Sequence, residues 1–147
     1  MAYYSTKTYG CNNELQGCLR HLNSTLHDQF LHGYSLTFSV DFTCDELDAN
    51  GAVIDFNTLK TFNKWLENNF AYKVILLESD PQLKTFKLLE GRGLAQIKIV
   101  PTVSTEHFAY MAHKEISKTV ANVTGGRCSV MSVTCNEHNG KSKTYKP

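Results

Sequence analysis

Residues 34–43, Tyr-Ser-Leu-Thr-Phe-Ser-Val-Asp-Phe-Thr, alternate without a break. On an extended backbone Leu36, Phe38, Val40 and Phe42 fall on one side, and Ser35, Thr37, Ser39, Asp41 and Thr43 on the other. A strand with one apolar and one polar face belongs to an antiparallel sheet covered on one side. Phe30-Leu31-His32-Gly33-Tyr34 puts a histidine and a glycine at the mouth of this strand, with His21 and His27 just upstream. These three histidines are the only cluster in the sequence that looks suited to a metal.

The rest of the chain supplies partners for that strand. Tyr3 to Tyr9, rich in Tyr and Thr, predicts a strand. Gly10 to Gln16 reads as a turn or loop, Gly17 to Leu22 as a resumed strand, and Asn23 to Gln29 as a polar loop carrying His27 and Asp28. After a turn at Asp48-Ala49-Asn50-Gly51, Asp55 is a suitable N-cap. Phe56, Leu59, Phe62, Leu66 and Phe70 then recur at helical steps and predict a helix over about 56–69, its apolar stripe facing the core. Ala71 to Leu77 reads as a short apolar connection. Asp80-Pro81 opens a brief helix that Glu90-Gly91-Arg92-Gly93 breaks, and Ala95 to Val100 is a short strand. Ser104 caps a second long helix with Glu106 in its first turn, and Phe108, Ala109, Ala112, Ile116 and Val120 form its buried face. Arg127 to Asn136 and Ser142 to Tyr145 are strands joined by a turn at Asn139-Gly140. The expected fold is α+β in one domain spanning 1–147: an antiparallel four-stranded sheet with two helices on one face, in the order ββααββ.

Composition narrows the function classes. A formal net charge of +1 without clustered Lys and Arg gives no nucleic-acid footprint. No apolar run approaches the ~20 residues of a membrane span, and Met1 to Ser5 lacks a secretion-signal pattern. The cysteine count is odd, five, and no Cys-x-x-Cys occurs, which points to reduced thiols in a cytoplasmic protein. Without a secretion signal, the Asn23-Ser24-Thr25 and Asn122-Val123-Thr124 triplets read as chance matches to the glycosylation pattern.

Five stretches in this order resemble the 6-pyruvoyltetrahydropterin synthase / 6-carboxytetrahydropterin synthase family. Leu31-His32-Gly33-Tyr34 is similar to the family's Leu-His-Gly-His. Gly51 to Phe56, with Leu59-Lys60 after it, is similar to Gly-x-Val-x-Asp-Phe. Phe70-Ala71-Tyr72-Lys73 and the stretch to Pro81 resemble Leu-Asp-His-Lys before an acidic Asp-Pro. Pro101-Thr102 with Ser104-Thr105-Glu106 resembles the Pro-Thr-x-Glu helix start. Val133 to Tyr145 resembles the last hairpin, with Glu137 at the substrate glutamate. The resemblance implies the tunnelling fold, a homo-oligomer (trimer or hexamer) with sites between subunits, and a zinc-dependent lyase. Its substrate would be dihydroneopterin triphosphate, on the route to tetrahydropterins or to 7-deazaguanines such as the queuosine precursor.

The departures from that pattern fall on the chemistry. Tyr34 stands where the family's second His-Gly-His histidine would be. The first zinc histidine's register falls near Gly17. Asp28 replaces the catalytic cysteine, and Ala71-Tyr72 replaces the Asp-His pair. Cys18 to Tyr34 is closer to a divergent branch with a natural His-Gly-Tyr, which still keeps the cysteine and the Asp-His pair. In the residues themselves, His32, His27 and His21 with Asp28 suit a catalytic Zn2+ with an open position, and any bound metal is expected to depend on His32. The plain alternative is a surface loop that contains histidines. Glu137 can accept from a ring N–H and the neighbouring exocyclic amine of a pterin or guanine at once, and Thr102 and Thr105 are expected to line the same pocket. His138 beside it reads as a surface residue. Asp28 and Tyr72 are the candidates to replace the lost acid–base groups. The two functional readings are thus a lyase on a pterin triphosphate, and a pterin- or purine-binding oligomer with no or redirected lyase activity.

Overall fold

The computed structural model describes residues 3–137 and 140–147. The predicted turn residue Asn139 and the neighbouring His138 lie outside the described residues. The alternating strand forms as predicted and is longer than predicted. It is β3, His32–Cys44. Leu36, Phe38, Val40 and Phe42 are fully buried on one face. The other face carries a hydroxyl network: Thr6 and Ser132 both donate to Asp41, at 2.6 and 2.7 Å, and Thr8 and Ser39 share a hydrogen bond of 3.0 Å.

Three strands pair with β3. On one side β1, Tyr3–Tyr9, pairs antiparallel with its second half, and β2, Gln16–Leu19, with its first half. Between them the chain detours through 10–15. Gly10 turns with φ +88°, and a Cβ there would stand 2.5 Å from the Leu36 carbonyl oxygen. On the other side lies β6, Cys128–Glu137, followed by β7, Ser142–Tyr145.

Helix α1, Lys60–Phe70, follows a 3-10 turn, Phe56–Leu59, whose Asp55 cap accepts from the Asn57 amide at 2.9 Å. Helix α3, Thr105–Thr124, is capped by Ser104, whose Oγ accepts from the His107 amide at 3.1 Å. Both caps are those expected from the sequence. Phe62, Leu66 and Phe70 of α1 and Phe108, Ala109, Ala112, Ile116 and Val120 of α3 pack on the apolar face of β3 and β6. The Phe70 ring sits 5.1 Å from that of Phe38 and 5.2 Å from that of Phe108. Each such side chain contributes about 1.5–3 kcal/mol by leaving water.

The α+β class stands, but the four-stranded antiparallel ββααββ description does not. Among the described residues the sheet is mixed and seven-stranded: with Val74–Leu77 as β4 and Ile97–Val100 as β5, its order is β5-β4-β2-β3-β6-β7 with β1 beside β3, and there are three α-helices. The additional strands include Val74–Leu77, expected as a connection. It is β4, parallel to β2 on one side and to β5, Ile97–Val100, on the other. Four consecutive apolar residues carry no periodicity that separates strand from linker. What makes them a strand is the backbone edge that β2 presents. The brief helix is α2, Leu83–Gly91. No helix among the described residues is long and apolar enough to cross a membrane.

Candidate functional site

The strand mouth gathers part of the predicted site. The His21 and His32 rings lie 5.7 Å apart. The His21 amide donates to the Asp28 carbonyl at 2.8 Å, which folds the 21–28 loop back on itself. Ser24 donates from its hydroxyl to the Asp28 carboxylate. That hydrogen bond, opposed by partial desolvation and joined by the Asp28 amide and the fields of His21 and His32, holds the Asp28 carboxyl below the usual aspartate range. His32 is oriented by a 2.8 Å contact between Nδ1 and the Phe30 carbonyl, which leaves Nε2 for the site. Thr102 joins this group across a cavity of about 200 Å³ lined by His21, Ser24, Leu77 and Val103 among others. Ser24 was not legible as a site residue. Its four-residue spacing from Asp28 is a turn signal that many surface loops share.

A second group lies further along the same face. Glu137 pairs directly with Leu36, so it shares the core-facing side of the sheet with His32 and Tyr34. At ~3.3 Å per residue, His32 and Leu36 are about 13 Å apart along β3. Buried Cys135 reports Glu137's surroundings: burial first, then the charges of Glu137 and Glu106, push its thiol well up. Thr105 is buried at the start of α3, and Glu106 pairs with Lys143 at 3.5 Å. The 102–106 segment thus spans the two groups, with Thr102 at the histidine end and Thr105 and Glu106 at the glutamate end.

Two predicted residues stand apart. His27 is exposed on a 3-10 turn, His27–Gln29. Tyr72 is 67% exposed with φ +57°, and no hydrogen bond joins it to Asp28, His21 or His32. Among the described residues no three His, Cys, Asp or Glu side chains are arranged to hold a metal ion. His21, His32 and Asp28 are thus not placed together as a ready-made three-ligand set.

The sequence matches the family model of 6-pyruvoyl tetrahydropterin synthase over residues 14–147. The chain belongs to the 6-pyruvoyl tetrahydropterin synthase family. Solved structures share its fold across nearly its whole length. An uncharacterised protein of Wolinella succinogenes superposes with a TM-score of 0.77 at 17% identity, covering 98% of this chain and 97% of that one. The 6-pyruvoyltetrahydropterin synthase of Plasmodium vivax gives 0.67 at 16% identity, covering 99% and 98%. That of Plasmodium falciparum gives 0.66 at 13% identity, covering 98% of each chain. No curated protein matches the chain by sequence. Glu137 and His32 lie on the same side of the sheet by register, and the Tyr34 hydroxyl is turned into the core, donating to the Phe70 carbonyl at 2.6 Å. Burial, joined by the nearby Cys18 charge and opposed by the Lys73 backbone, pushes the Tyr34 phenol well up, so it stays a neutral donor. The five cysteines are all free, as expected.

Proposed function

We propose that this chain binds dihydroneopterin triphosphate or a closely related pterin, with Glu137 holding the ring, and that it carries weak or redirected lyase activity in pterin or 7-deazaguanine biosynthesis. The observation that carries this reading is the position of Glu137. It is half-buried at the inner end of β6, on the face it shares with His32 and beside the α3 start. A carboxylate there can accept paired charge-assisted hydrogen bonds from a ring N–H and an exocyclic amine. The side chain of the substrate then extends along β3 toward His21, His32 and Asp28.

Asp28 is the residue proposed to move protons there. Structures of the Plasmodium vivax enzyme are described as catalytic-residue mutants in which a glutamate is replaced. That supports a carboxylate in such a role on this fold. A carboxyl held below its usual range is a poor base at neutral pH, and this supports slow turnover over turnover at an ordinary rate. Tyr72, exposed and left-handed, serves in this reading only if a neighbouring subunit covers it. The proposed assembly is a trimer or hexamer, since among the described residues β5 and β7 end the sheet and open edges favour association. A reducing, cytoplasmic setting suits its free thiols.

A coupled assay on dihydroneopterin triphosphate, run beside calorimetry with a dihydroneopterin, tests the reading. Binding with slow or altered product formation is expected. Absence of pterin binding would remove it, and turnover at an ordinary rate abolished by Asp28→Ala would show that the proton relay has been rebuilt in full.

A further inference from the structure

Four of the five positions at which this chain departs from its family's pattern, 17, 34, 71 and 72, meet in one place. Gly17 on β2 is the direct cross-strand partner of Tyr34 on β3. A Cβ on residue 17 would stand 2.6 Å from the Tyr34 hydroxyl and closer still to the Lys73 carbonyl oxygen. The space that a side chain at 17 would use is thus already filled. The Tyr34 hydroxyl donates to the Phe70 carbonyl at 2.6 Å and lies 3.4 Å from that of Lys73. The Cys18 amide also donates to the Lys73 carbonyl, at 3.0 Å. Between Phe70 and Lys73 the backbone turns through Tyr72 at φ +57°, its amide donating to the Gln16 carbonyl at 2.6 Å. That turn carries the Tyr72 side chain into solvent.

From these contacts we infer that a tyrosine clamp has taken the place of the metal centre. Gly17, Tyr34 and the 70–73 turn form one hydrogen-bonded unit in the volume where the family pattern puts zinc ligands, and the protein folds without a resident zinc ion. The substitutions at 17, 34, 71 and 72 are then one structural exchange. A ring at 34 needs glycine at 17, and it also needs the 70–73 carbonyls aimed inward, which the left-handed turn at 72 achieves. What remains at the strand mouth is a pair of histidines with a carboxylate already engaged by Ser24. A tetrahedral zinc centre takes three or four protein donors, and among the described residues no three His, Cys, Asp or Glu side chains are arranged to hold one.

The test is a metal titration, which reads out whether or not the protein binds a pterin. Full-length protein stripped with a chelator is titrated with zinc by calorimetry, its retained metal is counted after gel filtration, and its thermal unfolding is followed with and without zinc. Substoichiometric zinc and an unfolding midpoint that zinc leaves in place are expected. Tyr34→Phe is expected to lower the midpoint equally in both conditions, since it leaves the Phe70 carbonyl without its donor. One equivalent of zinc retained by the wild-type protein would overturn the inference, and His32→Ala would then locate the ion. Should Tyr34→Phe fail to fold, the wild-type titration alone decides.

Discussion

Glu137 and Asp80 are two carboxylates with opposite tasks. In the proposed function Glu137 stands where an incoming ring can supply the donors. Glu137→Gln replaces one acceptor by a donor, which opposes a ring N–H. The expected loss in pterin affinity is about 2–4 kcal/mol, read by calorimetry on both proteins, and equal affinities would refute the assignment. Asp80 has its donors within the chain. Its side chain is fully buried and takes two 2.8 Å hydrogen bonds from Arg20 and one of 2.9 Å from the Gln82 amide. Burial alone would raise its carboxyl. The hydrogen bonds from Arg20 and Gln82 and the Arg20 charge outweigh burial and hold it below the usual range. A folded pKa below the unfolded one, near 3.9, means that the unfolded chain binds the proton more readily. The contribution of Asp80 is therefore fully present above about pH 4 and is lost as pH falls through the folded value. Asp80→Asn, which leaves Arg20 partly buried and uncompensated, is expected to cost about 2–3 kcal/mol at neutral pH. In urea titrations the gap between the two proteins should narrow below about pH 4, and a gap independent of pH would contradict this account.

At the scale of elements, the contact between β2 and β3 is set by what residue 17 lacks. The two strands meet with Gly17 opposite Tyr34, and β4 lies on the other side of β2. The α1–β4 turn delivers the Lys73 carbonyl to the same spot. Gly17→Ala cannot be absorbed by a flexible side chain, because the nearest atom to the added methyl is backbone oxygen. It is expected to destabilise by about 1–3 kcal/mol, seen as a lower urea midpoint with an unchanged slope. A neutral effect would mean that β4 shifts freely, which would also weaken the case for a rigid clamp. The same reasoning explains why β4 was read from sequence as a connection. Val74, Ile75, Leu76 and Leu77 gain strand identity from β2 and β5 on either side, and no local signal announces parallel neighbours.

For the whole molecule, the question is what closes the sheet. Among the described residues β5 and β7 end it, and the exposed side chains near the strand mouth include Leu26, Phe30 and Leu31, at 71%, 63% and 44%. Open edges and apolar loops of this kind favour association. Light scattering on the purified protein is expected to return a trimer or a hexamer at micromolar concentration. A stable monomer would remove any site shared between subunits, and with it the one circumstance in which Tyr72 can act.

The sequence by itself determined the alternating strand, both long helices with their Asp55 and Ser104 caps, the buried faces of each apart from Phe56, which is 37% exposed, and membership of the family. These are local matters, since periodicity and capping chemistry act within a few residues of chain. It also marked His21, His27, His32 and Asp28 as a histidine-rich cluster, while Glu137, Thr102, Thr105 and Tyr72 were marked through the resemblance. Tertiary structure alone decided that His27 faces solvent, that Val74 to Leu77 is a parallel strand, and that Tyr34 turns inward. Each depends on atoms far away in sequence: the edge of β2, the missing side chain at Gly17 and the carbonyl of Phe70. Pattern along one chain cannot report a volume that three separate segments enclose.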